Sequence, residues 1–217
     1  MVNKPLAVIP TARIDDWWQL RHQQKLDEVA AKKEQAEWVF LGDSITHAWE
    51  VEGEQTWQQY FAPFNAMNLG YAGDRTEHLL WRIKNGELDY LSPKWVVILI
   101  GTNNAGHRHD SPENIATGIK VILQEVTERL PNSKILLMAI FPRSRDLSKR
   151  MRKKVNETNK LIQHFANGQQ IHWLNINHKF LTSHGILLES IMPDLLHPNE
   201  AQYPVWANAL LAYIQAH

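Results

Sequence analysis

Short apolar runs that alternate with helix-like segments constrain the fold of this chain most strongly. The clearest run is Trp95–Ile100, which is uninterrupted and rich in β-branched residues. A strand with two apolar faces is expected where helices cover both sides of a parallel sheet. Four further runs are mostly apolar and are also expected to be strands: Trp38–Leu41, Ala66–Leu69, Ile135–Phe141 and Ile171–Ile176. The pattern therefore predicts an α/β fold, a three-layer α/β/α sandwich built on a five-stranded parallel sheet.

Amphipathic segments separate these runs, with apolar residues at spacings of three and four. The predicted helices are Asp15–Lys33, Thr76–Lys84, Ser111–Leu130, Lys149–Phe165 and a last helix that ends at Ala216. In the first helix, Trp17, Leu20 and Val29 fall near the face that is expected to pack inward. Pro204 fits best as the first residue of the last helix, because proline lacks the N–H that interior helix positions need.

The length of 217 residues suits one domain with a sizeable core. No internal repeat, low-complexity segment or change of composition marks a second domain. We therefore expect a single domain over residues 1–217, in which residues 1–14 form an extended N-terminal segment.

Composition excludes several functional classes. The 23 Lys and Arg residues balance 23 Asp and Glu residues, and no basic block stands out, so nucleic acid is not an expected partner. No apolar stretch approaches the roughly 18–20 residues that a membrane span needs. The chain has no cysteine, which excludes disulfides, Cys-ligated zinc and a cysteine nucleophile.

The N-terminal residues bear on the compartment. Residues 1–10 lack a positively charged region followed by a long apolar core, so no signal peptide is visible. The sequence does not fix the compartment: it suits a cytoplasmic protein as it stands, and a periplasmic or secreted one if a signal peptide was removed. The sequence leaves a homodimer open.

Residues that could take part in catalysis follow several of the predicted strands. Ser44 comes after the first run, Gly73 after the second and Asn103 after the third, while Asp194 and His197 lie beyond the fifth. The carboxyl ends of parallel strands share one edge of a sheet, which is where open α/β folds bind ligands. We therefore expect a hydroxyl, amide donors, a carboxylate and an imidazole to converge there.

These residue types are the parts of a serine esterase. His197 can take the proton of Ser44 during attack on an ester carbonyl and later pass it to the leaving alcohol. Asp194, three residues before His197, can orient the imidazole. The expected donors to the oxyanion are the backbone N–H groups of Ser44 and Gly73 and the side-chain amide of Asn103.

Each residue also has a plainer interpretation when it is taken alone. Asp43 or Ser44 can simply cap a helix, and Gly73 and Asn103 suit turns. Asp194 and His197 suit a loop that leads into a helix. Their joint occurrence at successive strand ends favours catalysis.

The motifs that carry these residues resemble those of the SGNH (GDSL-type) hydrolases. The matching motifs are Gly42-Asp43-Ser44, the loop Gly70–Asp74, Gly101-Thr102-Asn103-Asn104 and Asp194-x-x-His197. Further segments are similar to the catalytic subunits of the intracellular platelet-activating factor acetylhydrolases: Arg21-His22, Asn68-Leu69-Gly70, Leu80-Trp81-Arg82 and Asn85–Leu88. The resemblance implies a flavodoxin-like five-stranded sheet and an ester hydrolase that needs no metal or other cofactor.

The resemblance also implies a substrate preference. In the acetylhydrolases that the chain resembles, large aliphatic residues at the positions of Ile45 and Leu196 restrict the acyl pocket to acetyl. We expect a serine esterase that removes short acyl groups, acetyl above all, from a carbohydrate or another small-molecule ester. An ester like platelet-activating factor or a lysophospholipid is the alternative substrate.

Two other functions stay open at this point. A binding module that keeps the fold without activity would be expected to lack one of Ser44, Asp194 or His197, and all three are present. Acyl transfer to another alcohol shares its first half-reaction with hydrolysis, so the sequence does not separate the two.

The sequence departs from the family pattern after Asn104, where it has Ala105–His109. His107 and His109 suggest a metal site, but no third ligand is evident and metals need a firm ligand geometry. We expect a polar loop at the rim of the cleft and no bound metal.

Overall fold

The fold of this chain is seen in a computed structural model that describes residues 4–217. Its sheet has five parallel strands in the order β2-β1-β3-β4-β5. The strands are β1 (Trp38–Gly42), β2 (Met67–Gly70), β3 (Trp95–Leu99), β4 (Lys134–Met138) and β5 (Ile171–Leu174). The predicted five-stranded parallel sheet is confirmed, and the predicted strand ends differ by one to three residues.

Seven α-helices accompany the strands in the described part of the chain. They are α1 (Asp16–Lys32), α2 (Ser44–His47), α3 (Glu54–Tyr60), α4 (Thr76–Arg82), α5 (Pro112–Arg129), α6 (Arg150–Ile162) and α7 (Gln202–Gln215). Among residues 4–217, no helix is long and apolar enough to cross a membrane.

Two apolar cores, one on each face of the sheet, explain why the strands are mostly apolar. On β1, Val39 and Leu41 join the core beneath α4, α5 and α6, whereas Phe40 joins the core beneath α2 and α7. All three side chains are fully buried. The predicted three-layer α/β/α arrangement is therefore confirmed.

The register of the central strands brings their carboxyl ends level. Gly42 at the end of β1 pairs with Gly70 of β2 on one side and with Leu99 of β3 on the other. A Cβ atom on Gly70 would overlap the backbone of Thr46 and His47, so glycine lets α2 pack directly on the strand ends. The loops after β1, β2 and β3 consequently open from one edge.

The buried face of α1 differs from the prediction. Trp17 and Leu20 are 41% and 61% exposed, while Trp18, Arg21 and His22 are buried. Arg21 donates to the Gly70 carbonyl at 2.9 Å and pairs with a glutamate of the turn after α2. Val29 is buried as predicted, but the pattern was wrong for the first half of the helix, which buries polar side chains that have partners elsewhere in the fold.

The last helix also begins earlier than predicted. Helix α7 starts at Gln202, so Pro204 is its third residue rather than its first. Proline is tolerated there because the first N–H groups of a helix have no partner within it. Residues 4–15 contain one short 3-10 turn, Leu6–Val8, and no α-helix or strand. That the whole chain is one domain stays a prediction.

Candidate active site

The end of β1 places Ser44 at the first position of α2. Asp43 caps this helix, since its Oδ1 atom accepts from the backbone N–H of Ile45 at 3.0 Å. The cap thus uses the aspartate and leaves the serine hydroxyl free for another partner. The Ser44 Oγ atom lies 2.8 Å from Nε2 of His197, a residue 153 positions away in the chain.

His197 is held by Asp194 through two groups. Its Nδ1 atom lies 2.6 Å from Oδ2 of Asp194, and its backbone N–H donates to Oδ1 at 2.7 Å. An Nδ1–H that donates to the carboxylate leaves the lone pair of Nε2 directed at Ser44. Burial raises the pKa of Asp194, but the hydrogen bonds from His197 outweigh it and hold that pKa below the usual value.

These three side chains lie near the surface. The side chains of His197 and Asp194 are 41% and 53% exposed. Water and a bulky leaving group can therefore both reach the imidazole.

The loop after β2 carries Gly73 in a conformation that favours glycine, with φ of +78°. Arg13 covers this loop and donates from Nη1 to the Ala72 carbonyl at 2.7 Å. Asn103, which is buried, donates from its side-chain amide to the Asp74 carbonyl at 3.0 Å. The structure thus joins the two predicted oxyanion loops, and the second N–H of the Asn103 amide has no hydrogen-bond partner among residues 4–217.

A buried ionic network lies beneath the Gly73 loop. The Asp74 carboxylate accepts from Nε1 of Trp18 and from Nε of Arg82, both at 2.8 Å. Arg82 also pairs with Glu87, and all three charged side chains are fully buried. Buried charges are stable only when they are paired and hydrogen-bonded. The network therefore fixes the position of Asp74, which directly follows Gly73.

The two predicted acyl-pocket residues lie in different surroundings. The Ile45 side chain is buried in the core beneath α7, and its carbonyl accepts from the Tyr203 hydroxyl at 3.0 Å. Leu196 is half-buried and lines a cavity of about 330 Å³. Their role in acyl selection stays a prediction.

The rim loop after Asn104 is held by ion pairs. Arg108 pairs with Glu77 and with Asp110, while His109 approaches the Ala105 carbonyl at 3.3 Å. Within the part of the chain that the structure describes, no three His, Cys, Asp or Glu side chains are grouped in a way that could hold a metal. That catalysis needs no metal stays a prediction.

Sequence reasoning gave no role to two polar residues near the site, Asp74 behind the oxyanion loop and Arg143 beside Thr102. Asp43 was a candidate helix cap, and it is the cap of α2. Burial raises the pKa of Asp43 to about 7. The motif Leu80-Trp81-Arg82 was the available signal for the Asp74 network, since a charged residue within an apolar helix requires a buried partner.

Comparison with protein families defines the class. The model of the GDSL-like lipase/acylhydrolase family matches residues 40–205. The chain therefore belongs to this family of carboxylic ester hydrolases.

Individual relatives agree with that assignment. The chain is 34% identical over 212 residues to the human platelet-activating factor acetylhydrolase IB subunit alpha1, a match that covers 96% of this chain and 87% of the relative. A GDSL-like lipase from Bacteroides thetaiotaomicron shares the fold with a TM-score of 0.75 and 19% identity, over 90% of this chain and 97% of that one. An acetylxylan esterase from Geobacillus stearothermophilus has a TM-score of 0.65 and 18% identity, over 83% and 95%.

Proposed function

We propose that this protein is a serine ester hydrolase that removes short acyl groups, acetyl above all, through an acyl-enzyme intermediate. The observation that carries the proposal is the continuous chain from Ser44 Oγ to His197 Nε2 at 2.8 Å and from His197 Nδ1 to Asp194 Oδ2 at 2.6 Å. A nucleophile, a base and a group that orients the base in such contact are the signature of an activated serine.

The geometry supports a two-step reaction. Ser44 attacks the ester carbonyl while His197 takes its proton, and the carbonyl oxygen becomes an oxyanion. The backbone N–H groups of Ser44 and Gly73 and the free N–H of the Asn103 amide stabilise that charge. His197 then gives the proton to the leaving alcohol. A water molecule, deprotonated by His197, releases the acid and restores Ser44.

The exposed imidazole favours a leaving alcohol larger than the acyl group. We propose a sugar hydroxyl as this alcohol, and the shared fold of an acetylxylan esterase supports a scaffold that admits acetylated sugars. A second candidate substrate is an ester like platelet-activating factor. The 34% identity to a subunit named as a platelet-activating factor acetylhydrolase supports that alternative.

A panel of esters tests the function. Acetylated xylan, acetylated monosaccharides, a 2-acetyl ether phospholipid and a lysophospholipid are offered side by side to the wild type and to Ser44→Ala. We expect acetyl esters to be hydrolysed by the wild type and not by the variant. Ser183→Ala, at an exposed serine, is the matched control and should retain full activity.

Two results would contradict the proposal. The first is equal hydrolysis by Ser44→Ala and the wild type. The second is inactivity of the wild type on every ester in the panel, which would favour a binding module. Addition of competing alcohols separates hydrolysis from acyl transfer, because transfer yields a new ester in place of free acetate.

A further inference from the structure

Arg143 follows β4 and is fixed against the loop that carries Asn103. Its Nη1 atom donates to the Thr102 carbonyl at 2.7 Å and approaches the Thr102 hydroxyl at 3.1 Å. A Cβ atom on Gly106 would overlap the Arg143 guanidinium, so the two segments are in close contact. The Nε and Nη2 atoms of Arg143 have no hydrogen-bond partner among residues 4–217.

A second arginine holds the backbone of the same segment. Arg152 is buried, and it donates to the carbonyls of Arg143 at 3.0 Å and of Ser144 at 2.5 Å. The Ser144 N–H donates in turn to the Leu195 carbonyl at 2.8 Å. Ser144 and Leu195 both have positive φ, 62° and 58°. Strained backbone of this kind persists where the surroundings impose it, and it clusters at functional sites.

Arg143 forms no salt bridge, although the carboxylates of Asp43 and Asp194 lie near enough to act on its charge. The neighbouring arginines of the cleft are paired, Arg13 with Asp15 at 2.9 Å and Arg75 with Glu77 at 2.6 Å. For Arg143, no carboxylate oxygen of residues 4–217 lies within 4.0 Å. A half-buried guanidinium that is oriented in advance and unpaired is suited to bind a carboxylate or phosphate.

The cavity of about 330 Å³ that Leu196 lines also opens beside Arg143. Its polar lining includes the side chains of Arg145 and Lys149, which are exposed and have no carboxylate partner within 4.0 Å in the described chain. The one carboxylate in the lining is Asp194, which is already engaged by His197. Three cations therefore line the cavity beside one carboxylate that is already hydrogen-bonded, while Asp43 and Asp146 act on these cations from outside the lining.

We propose that this cavity binds an anionic group, a carboxylate or a phosphate, on the leaving alcohol of the ester, with Arg143 as the principal ligand. The inference rests on the proposed esterase function and narrows its substrate class. An anion on the alcohol fits better than one on the acyl group, because the acyl group proposed above is acetyl and carries no charge. Acetyl is also too small to fill the cavity, so Leu196 can border the acyl group while the rest of the cavity takes the alcohol. The exposed Arg145 and Lys149 leave room for the rest of the alcohol to extend into solvent.

Three matched esters test this inference: 1-acetylglycerol, 3-acetylglycerate and 1-acetylglycerol 3-phosphate. They differ in one substituent, and their short chain lets the anion reach the cavity from the reacting carbonyl. We expect kcat/KM for at least one anionic ester to exceed that for the neutral ester by about tenfold or more, the typical value of a charge-assisted hydrogen bond. The anionic ester with the higher kcat/KM shows whether the site prefers a carboxylate or a phosphate.

Variants of the residues that line the cavity test whether the cavity causes the preference for anionic esters. Arg143→Gln should reduce the ratio of anionic to neutral kcat/KM to about one, whereas Arg143→Lys should retain part of it. Arg145→Gln and Lys149→Gln, at exposed positions that pose little risk to folding, should each lower the ratio by about two- to fivefold. Lys153→Gln removes an exposed cation of α6 that lies outside the cavity lining, and it should leave the ratio unchanged.

The possible failures are distinguishable. Hydrolysis of all three esters by the wild type at equal kcat/KM would overturn the anion site and leave the esterase function standing. A preference that survives in Arg143→Gln and Lys149→Gln would also overturn it. Inactivity on all three esters and on the acetyl panel above would reject the esterase function itself.

Discussion

The backbone carbonyl of Asp74 accepts a 3.0 Å hydrogen bond from the side-chain amide of Asn103. Through this bond the loop after β3 is tied to the loop after β2. The Asp74 carboxylate in turn accepts from Nε1 of Trp18 and Nε of Arg82, both at 2.8 Å. The position of the proposed oxyanion donor therefore depends on a fully buried ion pair.

Replacement of Asn103 tests its part in the reaction. Asn103→Ala should lower kcat by roughly 10²–10³, the usual cost of one lost oxyanion donor. KM should change less, because the donor acts mainly on the charge that develops in the transition state. Steady-state kinetics on an acetyl ester gives both constants, with Asn114→Ala, at an exposed helix position, as the control. An unchanged kcat would make Asn103 a turn residue.

Replacement of Asp74 tests the support of that donor. Asp74→Asn keeps the size of the side chain but leaves Arg82 with Glu87 as its one remaining carboxylate partner. We expect the free energy of unfolding in urea to fall by about 3 kcal/mol, at the lower end for a broken buried pair, and kcat to fall as well. The control Asp27→Asn, on the exposed face of α1, should change neither the free energy of unfolding nor kcat. Wild-type stability in Asp74→Asn would show that the ion pair is dispensable.

Acyl-chain length tests the proposed pocket. We expect nitrophenyl acetate to be the best of a series from two to eight acyl carbons, with a steep fall in kcat/KM by four carbons. Leu196→Ala should shift the optimum to longer chains, since each methylene that an apolar pocket accepts is worth about 0.8 kcal/mol. Ile45→Val is the safer change at the second position, because the Ile45 side chain is buried in the core. A wild-type optimum at six or eight carbons would favour a lipase-like enzyme.

The sequence predicted the sheet well because its strands are apolar on both faces. Val39 and Phe40 face different cores, so no alternation of polar residues obscured the run. The convergence of Ser44 and His197 was predictable for a related reason. The two residues were expected to meet because loops after parallel strands share one edge of the sheet, and the motifs indicated which residues in those loops matter.

Other features depend on contacts that a linear pattern does not contain. Arg21 and His22 are buried because Glu50 and Glu87 lie opposite them in the fold. Helix α3 was not predicted, since it buries only Thr56 and so has no apolar stripe. The unpaired state of Arg143 likewise becomes visible only once its surroundings are known.

The pKa of Asp43 predicts a pH dependence of stability. Burial raises this pKa from 3.8 to about 7 in the folded protein. Between these values the folded state holds a proton that the unfolded state has lost, so stability should fall as pH rises. The expected slope from this one group is up to about 1.4 kcal/mol per pH unit, and it should vanish above pH of about 7.

Asp43→Asn isolates this contribution, because asparagine can still accept from the Ile45 N–H while it cannot ionise. The free energies of unfolding of both proteins are measured in urea at several pH values from 5 to 8. The wild type should lose stability relative to the variant as pH rises towards 7. A difference that is constant with pH, or that grows in favour of the wild type, would contradict the raised pKa.

The central claim is that Ser44 is an activated nucleophile, and covalent labelling tests it most directly. A fluorophosphonate probe reacts quickly only with a serine whose hydroxyl is deprotonated by a neighbouring base. Mass spectrometry of the digested protein should find one probe per chain, on the peptide that contains Ser44, with activity lost in proportion. His197→Ala should react far more slowly. Stoichiometric labelling that persists in Ser44→Ala, or full activity after Ser44 is modified, would contradict the account.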